Sequence, residues 1–234
     1  MLGGCGADAR ERSSPAGGVV VSVGANSLTK TALGKWVAFE AVLEHAYRPN
    51  QPVPAGLVPD PPAYKECIAD LGALAASRGV RPRPDADQLR TECERERMSL
   101  ERQTLSVLID AYWVREEAAA RNVLVNPAEV ERELRRVFLS KRWRFPASVG
   151  APTPYERFVV DDRLLLAELQ RRTLPIYARL RRTGHPEGPR LAEEVDAEIQ
   201  RLANELTSRW TPRTHCQAGY VVSECSEYNA RPAH

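Results

Sequence analysis

The sequence predicts a mostly α-helical fold with a small β element formed by segments near its two ends. Three observations carry that expectation. Apolar residues recur at helical spacing, as in Leu105, Leu108, Ile109, Tyr112 and Trp113, or Val130, Leu134, Val137 and Phe138. Gly- and Pro-containing breaks separate the periodic stretches. Two short β-rich runs, Val19–Val23 and Gly219-Tyr220-Val221-Val222, are suited to pair with one another.

The elements follow in order. Val19–Val23 is a strand that ends at Gly24, and Ser27 or Thr29 can cap the helix behind it. That helix turns Leu33, Trp36, Val37, Ala41, Leu43 and the stem of Glu40 to one side. Residues 48–62 hold six prolines and form an extended loop. A second helix spans about Ala63 to Ser77, and Asp85 or Asp87 caps a long third one reaching about Arg121. The stripe of Leu105, Leu108, Ile109, Tyr112, Trp113 and Glu116 makes this third helix the central one. Asn126 caps the next helix, with Pro127 at its first position and Glu129 at its third. After a loop over Arg144–Pro154, a helix runs from Tyr155 to Arg172 and is kinked or restarted at Pro175. Gly184–Pro189 breaks the chain before a last helix over Arg190–Trp210.

Composition excludes several function classes. With 43% hydrophobic and 27% charged residues in 234, the chain can bury a real core and is not disordered throughout. Thirty-three basic and 31 acidic residues leave a net charge of +2. The two signs alternate, as in Glu94-Arg95-Glu96-Arg97, which describes a solvated helix face with ion pairs. No basic stripe tracks a phosphate backbone, so no nucleic-acid partner is expected. No apolar run approaches the ~20 residues of a membrane span.

The five cysteines say more. Leu2-Gly3-Gly4-Cys5 has the order of a lipobox, which makes Cys5 the expected lipidation site. The charged and apolar parts of the signal peptide would then lie upstream of Met1. A polar tether follows Cys5. Four cysteines remain, and four allow three pairings. Cys67 and Cys93 are equidistant from Val80 in the Gly/Pro turn, so an antiparallel helical hairpin sets them opposite each other. Cys216 and Cys225 close a short loop. Four reduced thiols in a cytosolic protein remain the bland alternative. No CxxC or HxxxH spacing calls for a metal, and none is expected. Paired cysteines imply an oxidising compartment, and the lipobox also implies export and adds the membrane anchor. The two together make an extracytoplasmic, membrane-anchored protein the expectation.

Val19–Trp36, Gln103–Ala118, Val123–Val130 and Trp210–Cys225, taken in that order, resemble segments of SurA/PrsA-type foldases. Val19–Trp36 resembles the opening of that family, where a strand leads into the first helix. Gln103–Ala118 resembles the long helix of the family's chaperone module, and Val123–Val130 its connector. The ending Trp210–Cys225 is similar to the C-terminus of foldase-like lipoproteins of actinobacteria. The resemblance covers about four-fifths of the chain. It implies a SurA-like helical chaperone module over 19–183, preceded by a lipobox and tether over 1–18. The last helix and disulfide-closed tail, 184–234, would pack back on the same domain. The family's parvulin prolyl-isomerase domain has no counterpart here, because only Thr183–Pro189 stands at that junction and His185 has no second histidine near it. No catalytic residue is therefore carried over.

The residues themselves offer little catalysis. No GxSxG, P-loop or GxGxxG motif is present, and Ser13, Ser14, Ser223 and Ser226 have no histidine and carboxylate in motif spacing. Glu116 and Glu117 read as a solvated edge, and His215 beside Cys216 reads as a neighbour of a structural disulfide. Tyr112, Trp113, Trp143, Phe145, Tyr155 and Phe158 are core in part, and some are candidates for a client-binding cradle. The expectation is a chaperone without cofactor or catalysis that binds unfolded or newly exported polypeptides. The alternative is a structural envelope lipoprotein that binds one dedicated protein partner.

Overall fold

Valine repetition at 19–23 produces the first strand, β1 (Val19–Val23), whose Val20, Val21 and Val23 are fully buried. The computed structural model describes residues 18–46, 55–137, 153–178 and 189–228. Gly24 turns the chain with a φ of +53°, and β2 (Asn26–Thr29) returns antiparallel to β1. The two candidate caps, Ser27 and Thr29, both lie in β2, and Thr29 is the one that caps. It ends β2, and its Oγ1 accepts from Ala32 N at 3.2 Å at the start of α1 (Lys30–Ala46).

The third strand corrects an expectation. Gly219–Val222 is not the partner of β1; that partner is β3 (Thr214–Cys216), with Val21 opposite Cys216 and Val23 opposite Thr214. The sheet order is β2-β1-β3, all antiparallel. Two constraints account for the shift. The Cys216–Cys225 bridge folds the nine-residue separation into turns, with Gly219 at φ +93°. Thr214 is also fully buried, because its hydroxyl donates to Trp210 O at 2.9 Å and accepts from Trp113 Nε1 at 2.8 Å. A threonine satisfied in this way serves as an inward-facing strand residue although apolar pattern reading passes over it.

Helix α2 (Lys65–Ser77) and helix α3 (Ala86–Ala120) form the expected hairpin. Asp85 caps α3 through a capping box: its carboxylate accepts from Gln88 N at 2.8 Å, and the Gln88 side chain accepts from Asp85 N at 3.0 Å. Cys67 and Cys93 are bonded across the hairpin with a Cα separation of 6.1 Å. Asn126 accepts from Ala128 N at 2.9 Å and starts α4 (Pro127–Val137). Then come α5 (Thr153–Thr173) and, after a break at Leu174, a helical segment from residue 175. The last helix is α6 (Pro189–Trp210). The segments 144–152 and 184–188, read as loop and break, lie outside the described residues.

Helix α3 is central, as its stripe predicted. Leu105, Leu108, Ile109, Tyr112, Trp113 and Val114 join one core with Leu33, Val37, Phe39 and Val42 of α1, Leu202, Leu206 and Trp210 of α6, and the β1 valines. Trp36 meets Tyr155 and Phe158 of α5 edge-on, both with ring centroids at 4.9 Å. Helix α4 packs on α5 through Val130, Leu134 and Val160. The last helix and the tail therefore share a core with the N-terminal strand and α1.

Candidate functional site

Where α3, α5, α6 and the tail meet, the packing leaves a groove of about 440 Å³. Its base is aliphatic and aromatic: Trp113 and Val114 from α3 and Leu202 and Leu206 from α6, all buried. Leu166 and Gln170 of α5 and Ile199 of α6 form half-buried walls. The mouth holds Asp110, Ala203, Thr207 and Ser223, all exposed, and half-buried Glu224. Helical geometry explains the arrangement. Ile199, Leu202, Ala203 and Leu206 recur at i, i+3, i+4 and i+7, so one stripe of α6 faces α3 and its edge is left uncovered.

The groove carries acids and no base. Asp110 and Glu224 are its only ionisable lining residues among the described ones. Ser106 Oγ donates to Glu224 Oε2 at 3.0 Å and holds that carboxylate in place. Partial burial, together with repulsion from Glu224, pushes the Asp110 carboxyl up to about 6. Asp162 of α5 is also raised to about 6, by burial first, with Arg115 lowering it and Asp161 and Asp110 raising it. Arg115 is committed to α5: it reaches Asp161 at 2.8 Å, donates to Phe158 O at 3.2 Å and lies 4.1 Å over the Phe158 ring. Its Nε stays 3.8 Å from Asp162 Oδ1, and neither atom has a hydrogen-bond partner.

A second polar centre overturns the reading of Glu117 as a solvated edge. Its side chain is 1% exposed and accepts from Trp210 Nε1 at 3.1 Å, Arg209 Nη1 at 2.8 Å and Arg121 Nε at 2.6 Å. Burial alone would raise its pKa; the three hydrogen bonds outweigh burial and hold it below the ordinary value. This network clamps the end of α6 to α3. Glu116 is not a free edge either, since it accepts from Ala25 N at 2.9 Å and Asn26 Nδ2 at 2.8 Å at the β1–β2 turn.

The tail brings together a trio that sequence spacing did not reveal. Glu227 Oε1 lies 3.3 Å and Ser226 Oγ 3.2 Å from His215 Nδ1. Both reach the same ring nitrogen, whereas a serine relay needs the hydroxyl on one nitrogen and the acid on the other. Glu227 also accepts from Cys216 N at 3.0 Å, so the trio braces the Cys216–Cys225 bridge. That bridge occupies the two sulfurs which, with Glu227, lie close enough together to resemble a metal site.

No family model, curated protein or solved structure gives a significant match to this chain.

The predicted site residues separate into three groups. All four pairing cysteines form the two expected disulfides, Cys67–Cys93 and Cys216–Cys225. Cys5, Trp143 and Phe145 lie outside the described residues. Of the client-binding set, Tyr112 and Trp113 are only 9% and 4% exposed, and Tyr155 and Phe158 pack against Trp36. Tyr112 and Trp113 are core residues, Trp113 also forming part of the base of the groove, whereas Tyr155 and Phe158 are half-buried and pack against that core. The groove is mainly an aliphatic feature of α6, α5 and α3. Its signal in the sequence was the Ile199–Leu206 stripe of the last helix.

Proposed function

We propose that this chain is an extracytoplasmic, membrane-anchored chaperone-like protein that holds apolar segments of unfolded or newly exported polypeptides without catalysis. The observation that carries the reading is the groove of about 440 Å³, open to solvent at Ala203 and Thr207 and apolar at its base. A volume of that size accommodates a few side chains of an extended segment. Burying them there offsets the exposure that drives an unfolded chain to aggregate. Two disulfides support an oxidising compartment. The resemblance of the N-terminal strand, central helix and connector to the SurA/PrsA-type chaperone module supports the same class.

The test is suppression of aggregation of chemically denatured citrate synthase by the purified chain. Wild type lowers light scattering, and Ala203→Arg, which fills the groove from an exposed position, loses most of that effect. Arg95→Ala serves as control, because Arg95 lies on the α2–α3 hairpin with a side chain 66% exposed. Equal suppression by all three contradicts the groove reading. Absence of suppression by wild type, with one stoichiometric complex recovered by pull-down, favours a structural lipoprotein with a dedicated partner.

A further inference from the structure

The charge of the groove points to a preference among the segments it takes, and the inference rests on the groove being a polypeptide-binding site. Apolar side chains can be held by the base formed by Val114, Leu202 and Leu206, but that base does not discriminate among them. Discrimination comes from the mouth. Asp110 from α3 and Glu224 from the tail stand there together, and no lining residue among the described ones is basic. Glu224 is fixed from two sides: by Ser106 Oγ at 3.0 Å, and by the adjacent Cys225, whose bond to Cys216 ties the tail to β3. The remaining charges nearby do not cancel these acids. Arg115 is engaged by Asp161 and Phe158 O on α5, Asp162 adds another acid, and the α6 lining residues Ile199, Leu202, Ala203, Leu206 and Thr207 are neutral.

We propose that the groove selects polypeptide segments in which a lysine or arginine is flanked by aliphatic side chains, the cation being held between Asp110 and Glu224 while its neighbours enter the apolar base. A long basic side chain suits this geometry, since its methylenes can lie along the wall while its head reaches the mouth. An acidic residue at the same position meets two like charges and is rejected. Loss of the Asp110 charge removes part of the preference, so the selectivity weakens as pH falls through about 6, the value to which partial burial and Glu224 lift that carboxyl.

The experiment is fluorescence polarisation with the full chain and three fluorescein-labelled decapeptides. They share a Leu-rich frame and differ only in a central Lys, Gln or Glu. The Lys peptide binds about tenfold more tightly than the Gln peptide, and the Glu peptide binds more weakly still. Raising salt from 50 to about 500 mM shrinks the Lys preference severalfold. In Asp110→Asn/Glu224→Gln the ratio of Lys to Gln affinities falls towards one. Glutamine at 224 still offers an oxygen to Ser106, and the wild-type salt series stands independently if that variant fails to fold. Equal wild-type affinity for all three peptides, blocked by Ala203→Arg, overturns the charge preference and leaves the polypeptide-binding groove standing. No binding of any peptide overturns both.

Discussion

Replacing Glu117 tests how the end of α6 is held to α3. The perturbation removes one carboxylate, 1% exposed, that serves three donors on two helices: Arg121 of the α3 end, and Arg209 and Trp210 of α6. In Glu117→Ala the Trp210 N–H, on a residue 5% exposed, is left buried without an acceptor. The two guanidiniums regain water more easily, being 34% and 49% exposed. Hydrogen bonds to a charged group contribute roughly 1.5–3 kcal/mol, and a buried unsatisfied donor costs a further increment, so a loss of about 3 kcal/mol is expected. For a chain of this size that lowers Tm by roughly 6–12 °C. Glu117→Gln keeps an oxygen for Trp210, and its loss is about half as large. Acid distinguishes the two variants from wild type. The folded Glu117 pKa lies below 4.5, so its contribution is present at neutral pH and is lost as pH falls through the folded value. Urea titrations at pH 7 and at pH 3 therefore show a larger gap between wild type and Glu117→Gln at pH 7. A Glu117→Ala variant within about 0.5 kcal/mol of wild type at pH 7 would refute the reasoning.

Other consequences follow from neighbouring features. Asp162→Asn raises stability at pH 7.5 by about 1–2 kcal/mol, because it removes a carboxylate that burial holds protonated up to about 6 while Arg115 keeps Asp161. The gain shrinks as pH falls below about 6 and disappears only below the unfolded carboxyl value of about 4, where Asp162 is neutral in both states; a gain independent of pH would contradict this. Cys67→Ser/Cys93→Ser loses about 3.5 kcal/mol of loop-closure stabilisation in urea titration, and faster amide exchange is confined to the α2–α3 hairpin. Cys216→Ser/Cys225→Ser loses about 2.6 kcal/mol and, by loosening Glu224, also weakens the Lys preference in the peptide assay. Gly24→Ala puts a Cβ 2.6 Å from Glu116 Cδ at a φ of +53°, and a thermal melt registers a loss of about 1–2 kcal/mol.

What the sequence made legible was local or symmetric about a turn. Asp85 and Asn126 cap because their side chains reach backbone donors within three residues, a rule that needs no tertiary knowledge. Cys67 and Cys93 could be matched because a hairpin fixes their distance from one turn. Glu117 was misread for the opposite reason. It follows Glu116 directly, and only the arrival of Arg209 and Trp210 from 92 and 93 residues away turns it into a buried acceptor. Thr214 was passed over because a hydroxyl satisfied by Trp113 looks polar in sequence and behaves as core in the sheet. The aromatic set, expected to be core in part, holds Tyr112 and Trp113 in the core. Large rings mark burial as readily as recognition, and the open surface lies beside the small Ala203 of α6.

The central claim is that the groove between α3, α5 and α6 receives unfolded polypeptide. The most direct measurement is site-specific photo-crosslinking, with benzoylphenylalanine placed at 223 on the exposed tail edge of the groove mouth or at 95 on the exposed hairpin. The client is reduced, carboxymethylated α-lactalbumin, a permanently unfolded chain. The account predicts strong crosslinks from position 223, competed by the Leu-rich Lys peptide and lost when Ala203→Arg fills the groove, and background crosslinks from position 95. Equal crosslinking from both positions, or none from 223, would contradict it.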